Sequence, residues 1–417
     1  MSKWTKTTLG KIADIITGPF GSQLHQSDYV KRGIPIVMPQ DIGNRNINYS
    51  TINYVSEEDA TRLKRYSTVT NDILYARRGD VEKHAFVRAK DAGVLCGTGC
   101  LRVRINSNEV ESAFLSFYLN REETRKWLVT HAVGTNMPNL NTDILSDVPI
   151  AYPTLKEQRK IVKVLNCLEE RIVLNEKIND NLEQQAKLIY DYWFTQFDFP
   201  DEDGKPYCSS GGKMVWNEQL KRNIPENWKV AQLKDIFNVS GKPISRDDCQ
   251  TDAYYTPIDV IPKRTITFAG GLSAAEANSS LQVYEENNIL LGAMRVYFHR
   301  VCISAQSGIT RTTTLVLKPK VDEYLGYAYQ VLNDDNAILY ATQHSSGTQQ
   351  PYIKWNDVLE NYRFAMPSNP KLLYEYSKIS EPLITKAKNC ARETEQLRKL
   401  RDWLLPMLMN GQATIND

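Results

Sequence analysis

The chain repeats itself. Trp4-Thr5-Lys6-Thr7-Thr8-Leu9-Gly10-Lys11-Ile12 returns as Trp228-Lys229-Val230-Ala231-Gln232-Leu233-Lys234-Asp235-Ile236. The Gly18-Pro19 turn returns at Gly241-Lys242-Pro243, and Asn71-Asp72-Ile73-Leu74-Tyr75 returns at Asn287-Asn288-Ile289-Leu290-Leu291. The strand-like run from Leu101 returns at Thr312 to Lys318, Gly134-Thr135-Asn136-Met137-Pro138 at Gly347-Thr348-Gln349-Gln350-Pro351, and the close at Pro153 at Pro367. Each match is modest alone. In one order at nearly constant offset, they predict a duplicated domain, and a long helix follows each copy.

The first helix is expected over Leu155 to Phe194. Ile161, Leu165, Leu168, Ile172, Ile178, Leu182, Ala186, Ile189 and Trp193 recur mostly at steps of three or four, which is a helix with one apolar stripe. Some forty residues span about 60 Å, too long to bury against a small domain. The second helix, Pro370 to Asn410, carries Leu372, Tyr376, Ile379, Leu383, Ala387, Cys390, Leu397, Leu400 and Leu404. Two such stripes predict an antiparallel coiled-coil spacer with pseudo-two-fold symmetry between tandem mixed α/β (α+β) domains. Pro382 is expected to kink or restart the second rod. The division predicted is 1–154 and 226–367 for the domains, 155–195 and 368–410 for the helices, 196–225 for a linker and 411–417 for a tail.

Composition narrows the functional classes. The net charge is +2, so any nucleic-acid contact must be a local basic face. Seven cysteines are scattered among only five histidines, a pattern that argues against zinc and for reduced thiols. No apolar run is long enough to span a bilayer, and the N-terminus lacks an apolar signal core, so a cytoplasmic protein without membrane association is expected. Asp201-Glu202-Asp203-Gly204-Lys205 lacks a calcium loop's ligand pattern and reads as a hairpin or linker turn. The bland expectation for His131 and His344, just before the Gly-Thr loops, is a structural role.

Together the Trp-x₄-Leu-x-x-Ile openings at Trp4 and Trp228, the Gly-Thr-x-x-Pro loops at Gly134 and Gly347, and the helices starting near Leu155 and Pro370 resemble the specificity (S) subunit of type I restriction-modification systems. The resemblance covers nearly the whole chain. It implies two target-recognition domains, each reading half of a split site in double-stranded DNA. It implies as partners two methyltransferase (M) subunits, which carry S-adenosylmethionine, and two ATP-dependent restriction (R) subunits. It implies a chain that is not catalytic by itself and needs no cofactor. The residues agree, with no GxxxxGK[ST] phosphate loop, no Asn-Pro-Pro-Tyr and no HExxH. The rival reading is a two-headed protein-interaction scaffold with no DNA binding.

Candidate DNA contacts in the first copy are Gln40, Asn44, Arg62, Lys64, Arg65, Arg77, Arg78, Lys83 and Arg88. Those in the second are Lys242, Arg246, Lys263, Arg264, Arg295, Arg300 and Arg311. Arginine can grip a guanine edge with two donors, amides can pair with adenine, and lysine neutralises phosphate. Arg77-Arg78-Gly79 is the strongest local candidate, with Ala293-Met294-Arg295 its counterpart. Base readout is expected where the copies diverge. The shared residues Gly134, Thr135, Pro138, Gly347, Thr348 and Pro351 should form common turns. Tyr190, Trp193, Phe194, Trp403, Leu404 and Met407 cluster near helix ends and are candidates for docking partner subunits.

Overall fold

A computed structural model describes residues 4–21, 23–134, 138–277 and 280–415. They form two compact units, Met1–Leu168 with Leu400–Asp417, and Glu169–Lys399.

The first unit contains β1 (Thr5–Thr8), β2 (Ala13–Thr17), β3 (Tyr29–Val30), β4 (Ile34–Val37), β5 (Asn53–Val55), β6 (Ile73–Ala76), β7 (His84–Phe86), β8 (Leu95–Cys96), β9 (Cys100–Ile105) and β10 (Pro149–Tyr152). Its helices are α1 (Glu57–Arg62), α2 (Ser112–Leu119), α3 (Glu122–His131) and α4 (Thr142–Ser146), with the start of α5 (Leu155–Tyr190). β1 pairs antiparallel with β10, which ties the opening Trp4 segment to the segment entering α5. One sheet runs β2-β9-β6-β7 and the other β3-β5-β4-β8. Ile-Leu-Tyr-Ala of β6 is buried on both faces. Ile73 and Tyr75 point into a core shared with α2, while Leu74 and Ala76 point into a second core beneath the other sheet. That alternation is the two-residue period of a strand between two layers.

The stretch 113–133, which reads as one helix, is two. α2 ends at Leu119, and Arg121 lies outside both helices with its guanidinium over the Tyr118 ring at 3.6 Å and bonded to Asn410 Oδ1 at 2.7 Å. α2 is buried almost all round, whereas α3 buries only Thr124 and Leu128, so a straight continuation would meet a different environment.

The second unit contains the hairpin β11 (Met214–Asn217) and β12 (Arg222–Pro225), then β13 (Trp228–Gln232), β14 (Phe237–Val239), β15 (Lys242–Ile244), β16 (Tyr254–Tyr255), β17 (Thr267–Phe268), β18 (Leu272–Ser273), β19 (Leu281–Tyr284), β20 (Ile289–Gly292), β21 (Val301–Ser304), β22 (Gly308–Arg311), β23 (Thr314–Pro319) and β24 (Arg363–Pro367). Its helices are α6 (Leu233–Ile236), α7 (Leu325–Asn333), α8 (Asp335–Gln343) and most of α9 (Lys371–Met409). β13 pairs with β24 as β1 pairs with β10, and Leu233 N–H bonds Tyr362 O as Leu9 N–H bonds Val148 O. The sheet β14-β23-β20-β21 repeats β2-β9-β6-β7 in the same order, with β17 added at one edge. Even the turn before the central strand is repeated. Asn71 and Asn287 both have positive φ, and Val69 N–H and Glu285 N–H bond the side chains of Asp72 and Asn288, each at 2.8 Å.

The other sheet is not a copy. In the first unit the parallel pair is β4 and β8, with β4 beside β5. In the second it is β16 and β22, but β22 lies beside β19 and β16 lies outside it. The repeat is strict in one layer and rearranged in the other.

Between Phe194 and Trp228 the chain is built into the second unit. Ile224 is buried in its core, and Met214 packs against that core. Asp201 accepts the amides of Asp203 and Lys205, closing the turn at Gly204.

Within the second unit α5 and α9 run antiparallel. Arg171 bonds Glu393 at 2.8 and 3.1 Å, Asn175 donates to Glu393 at 3.0 Å and Glu176 pairs with Arg398. Further along α5, Tyr190 and Phe194 meet Tyr376. The seam differs from the expected stripe. Asn175 and Asn179 are buried on α5 and Thr394 on α9, while Ile379 and Leu400 are exposed. A count of apolar residues misses a seam that admits small polar side chains. Pro382 does not restart α9, which is one helix of 39 residues. Pro382 and Lys378 are both exposed, so the carbonyl left without a donor faces water. In the first unit the two helices meet again, where Ile161 and Leu165 share a core with Leu405, Leu408 and Met409.

Candidate nucleic-acid interface

Three loops converge in each unit, held by the same backbone ties. The first is the turn after the central strand. In the first unit this is Arg77 to Lys83 after β6, with Gly79 at φ 82°. In the second it is Ala293 to His299 after β20, with Arg295 at φ 50°.

The second loop carries the Gly-Thr motif. Val133 and Asn139 exchange both backbone bonds at 3.0 Å, and Asn139 bridges to Arg78. Leu140 N–H then bonds Arg77 O at 2.8 Å. The second unit repeats each tie, with Ser346 and Tyr352 exchanging bonds, Tyr352 bridging Met294 and Ile353 N–H bonding Ala293 O at 3.0 Å. Gly134 and Gly347 have φ of 108° and 100°, a conformation that only glycine adopts cheaply. Pro351 O accepts the Arg295 amide at 2.7 Å, and Pro138 is half-buried. Thr348 is exposed, while Thr135 lies outside the described residues.

The third loop comes from the rearranged layer. Arg45, at φ 59°, donates its amide to His84 O at 2.8 Å; Arg264, at φ 48°, donates its amide to His299 O at 3.1 Å. Arg45 was unremarkable as sequence, a residue in a loop. In the fold it is 2% exposed, its guanidinium 3.3 Å from the Phe117 ring centre and its Nε bonded to Ser116 Oγ. It anchors the loop whose neighbours Gln40 and Asn44 are exposed. Burial drives His84 down to about 3, with Arg45 adding to the effect, so this imidazole is neutral and structural, bonded to Ser116 Oγ. His299 is likewise lowered by burial and bonds Asn333. The pairing of a left-handed arginine with a histidine carbonyl had no sequence signature, because the paired residues lie far apart in the chain.

The remaining candidates divide on this frame. Gln40, Asn44, Arg77, Arg78 and Lys83 of the first unit, and Lys263, Arg264, Arg295 and Arg300 of the second, belong to the converging loops. Arg78 is exposed and Arg77 half-buried; Lys83 pairs with Asp80. Lys263 lies over the Phe298 ring at 4.5 Å, Arg264 pairs with Asp335 at 2.9 Å and Arg300 bonds Asp259 O. Arg62, Lys64 and Arg65 instead follow β5, and Arg62 is held by Asp59 and Gln23 O. Arg88 starts the turn to Asp91. Lys242, Arg246 and Arg311 lie on or beside strands of the rearranged sheet, with Arg246 bonded to Ala275 O.

His131 and His344 are built alike. Each ring stacks at 3.9 Å on an aromatic ring one turn earlier, Trp127 or Tyr340, and each Nδ1 bonds that residue's carbonyl at 2.8 Å. They finish the helices that deliver the Gly-Thr loops.

Of the residues assigned to docking, Trp193 and Phe194 are buried in the second unit's core, where Tyr190 packs against them. At 8% and 5% exposure they present little surface, and both lie in a π turn over Asp191–Thr195. Leu404 and Met407 are half-buried, and Trp403 is 57% exposed.

Residues 1–184 match the family model described as the type I restriction modification DNA specificity domain. Across nearly its whole length the chain is similar to specificity subunits of type I restriction-modification systems. It is 24% identical to the type I restriction enzyme MjaIX specificity subunit of Methanocaldococcus jannaschii, over 98% of this chain and 93% of that one. It is 20% identical to the HindI specificity subunit of Haemophilus influenzae, over 99% and 100%. The fold matches the crystal structure of a type I system S subunit from M. genitalium, with TM-score 0.55 and 16% identity over 98% and 96% of the two chains. Among the described residues no helix is long and apolar enough to cross a membrane.

Proposed function

We propose that the three converging loops of each unit form its DNA-reading face, and that the two units read the two halves of a split target. The carrying observation is the contrast within each face. The ties Arg78–Asn139 and Met294–Tyr352 match, as do the left-handed arginines, yet the side chains on the loops differ. A matched backbone with unmatched side chains is what two readers of different half-sites require. In this reading Arg77, Arg78, Gln40 and Asn44 serve one half, and Arg295, Lys263, Arg264 and Arg300 the other. The residues off the loops, among them Arg62 and Arg246, contribute phosphate contacts at most. The chain directs adenine methylation and cleavage by M and R subunits in the cytoplasm, and among the aromatic docking candidates near the helix ends Trp403, 57% exposed, is the one open to a partner.

Methylome sequencing with and without the gene tests this reading, in a strain that makes the M subunit. Loss of one split adenine-methylated motif supports it. An unchanged methylome favours a scaffold that touches no DNA. Exchanging Arg77 to Asp91 for another sequence should alter one half of the motif only, and equal change in both halves refutes the assignment of reading to these loops.

A further inference from the structure

The second unit's turn differs from the first in one respect that sequence choice does not explain. Arg295 and His299 both hold left-handed backbones, at φ 50° and 53°, with a single 3₁₀ turn between them. Non-glycine residues pay strain for this conformation, and such strain persists where the surroundings enforce it. Here they do. Arg295 N–H bonds Pro351 O, Val296 is 1% exposed, and the His299 ring is fixed by Asn333. The result is a rigid tip that pushes two aromatic rings outward. Tyr297 is 49% and Phe298 39% exposed, with ring centres 4.9 Å apart. A cavity of about 240 Å³ lies beside Phe298, lined also by Ile258, Met294 and Arg300. Lys263 covers one face of Phe298. In the first unit the matching turn is Gly79 to Lys83, where Val81 is buried and Asp80 pairs with Lys83. It offers charge and no ring.

We propose that Tyr297 and Phe298 form a wedge that unstacks a base step in the half-site read by the second unit, with no equivalent in the first. The proposal rests on the DNA reading above. Exposed rings on a free surface cost solvation, and a ring pair flanked by Arg295, Lys263 and Arg300 fits stacked bases beside phosphates better than an apolar protein face. The tip's rigidity matters, because a mobile tip would lose ordering entropy on insertion.

The test uses the chain assembled with its methyltransferase subunits on the target identified by methylation mapping, with 2-aminopurine placed in turn at each non-methylated purine. Enhanced fluorescence is expected at one step in the second unit's half-site and none in the first's. Tyr297→Ala with Phe298→Ala should abolish the enhancement and weaken target binding about tenfold or more, with the melting temperature unchanged. Phe298→Leu, which keeps an apolar wedge, should retain both. Specific binding without any enhancement in the wild type overturns the wedge and leaves the DNA reading intact. So does a double variant that binds and fluoresces as wild type, or one that loses only assembly with the methyltransferase subunits, which would make the rings a protein contact. A wild-type complex with no preference for its mapped target defeats both.

Discussion

Glu183→Gln should make the second unit more stable at pH 8 and change it little at pH 5. Glu183 projects from α5 to accept the Ile266 amide at 3.1 Å and the Tyr329 hydroxyl at 3.5 Å. Burial is the largest influence on its carboxyl, and the Asp180 charge adds to it; the Ile266 and Tyr329 bonds and Arg264 oppose them. The balance moves it from the ordinary 4.5 up to about 7. Because the folded value lies above the unfolded one, the folded chain binds this proton more tightly. The group's favourable contribution is therefore full below pH 4.5, declines as pH rises and is lost above pH 7. At about 1.36 kcal/mol per pH unit the ionised form carries a penalty of roughly 3 kcal/mol, which partial access to solvent cuts to about 2. Glutamine mimics the protonated acid and keeps an oxygen for Ile266. The variant should gain about 2 kcal/mol at pH 8 and less than 1 kcal/mol at pH 5. Urea unfolding across this range measures the gain, and hydrogen exchange at Ile266 localises it. Wild-type and variant curves that run parallel from pH 5 to 8 would refute the assignment of a buried, proton-linked contact here.

Other outcomes follow from the same geometry. Lys388, 8% exposed, bonds Glu286 and Asn287 at 2.6 Å; Lys388→Met should cost about 1–2 kcal/mol in chemical unfolding, moderated because Arg392 still holds Glu286. Gly347→Ala forces a side chain onto φ 100° and sets its Cβ 3.3 Å from Gln350 O, a loss of about 1–2 kcal/mol in the same assay. Arg78→Ala, on the exposed turn, should weaken methylation at one half-site by about 1–3 kcal/mol in competition experiments, and a uniform loss across unrelated DNA would make it a phosphate contact instead.

The sequence by itself determined the duplication, the two long helices and the strands at Ile73 and Ile289, because these rest on local period and order. It marked both Gly-Thr loops, since a positive φ selects glycine whatever lies around it. Three things were decided only by tertiary structure. Phe194 stood among candidates for docking, yet it lies in the second unit's core beside Tyr327, Tyr376 and Trp228. The helix seam holds Asn175, Asn179 and Thr394, which no count of apolar residues selects. Arg45 carried no signal in the sequence; packing on Phe117 and a bond to the turn at His84 make it the anchor of its loop. In each case the deciding contact joins residues with no periodic relation in the chain, and only the folded backbone brings them within reach.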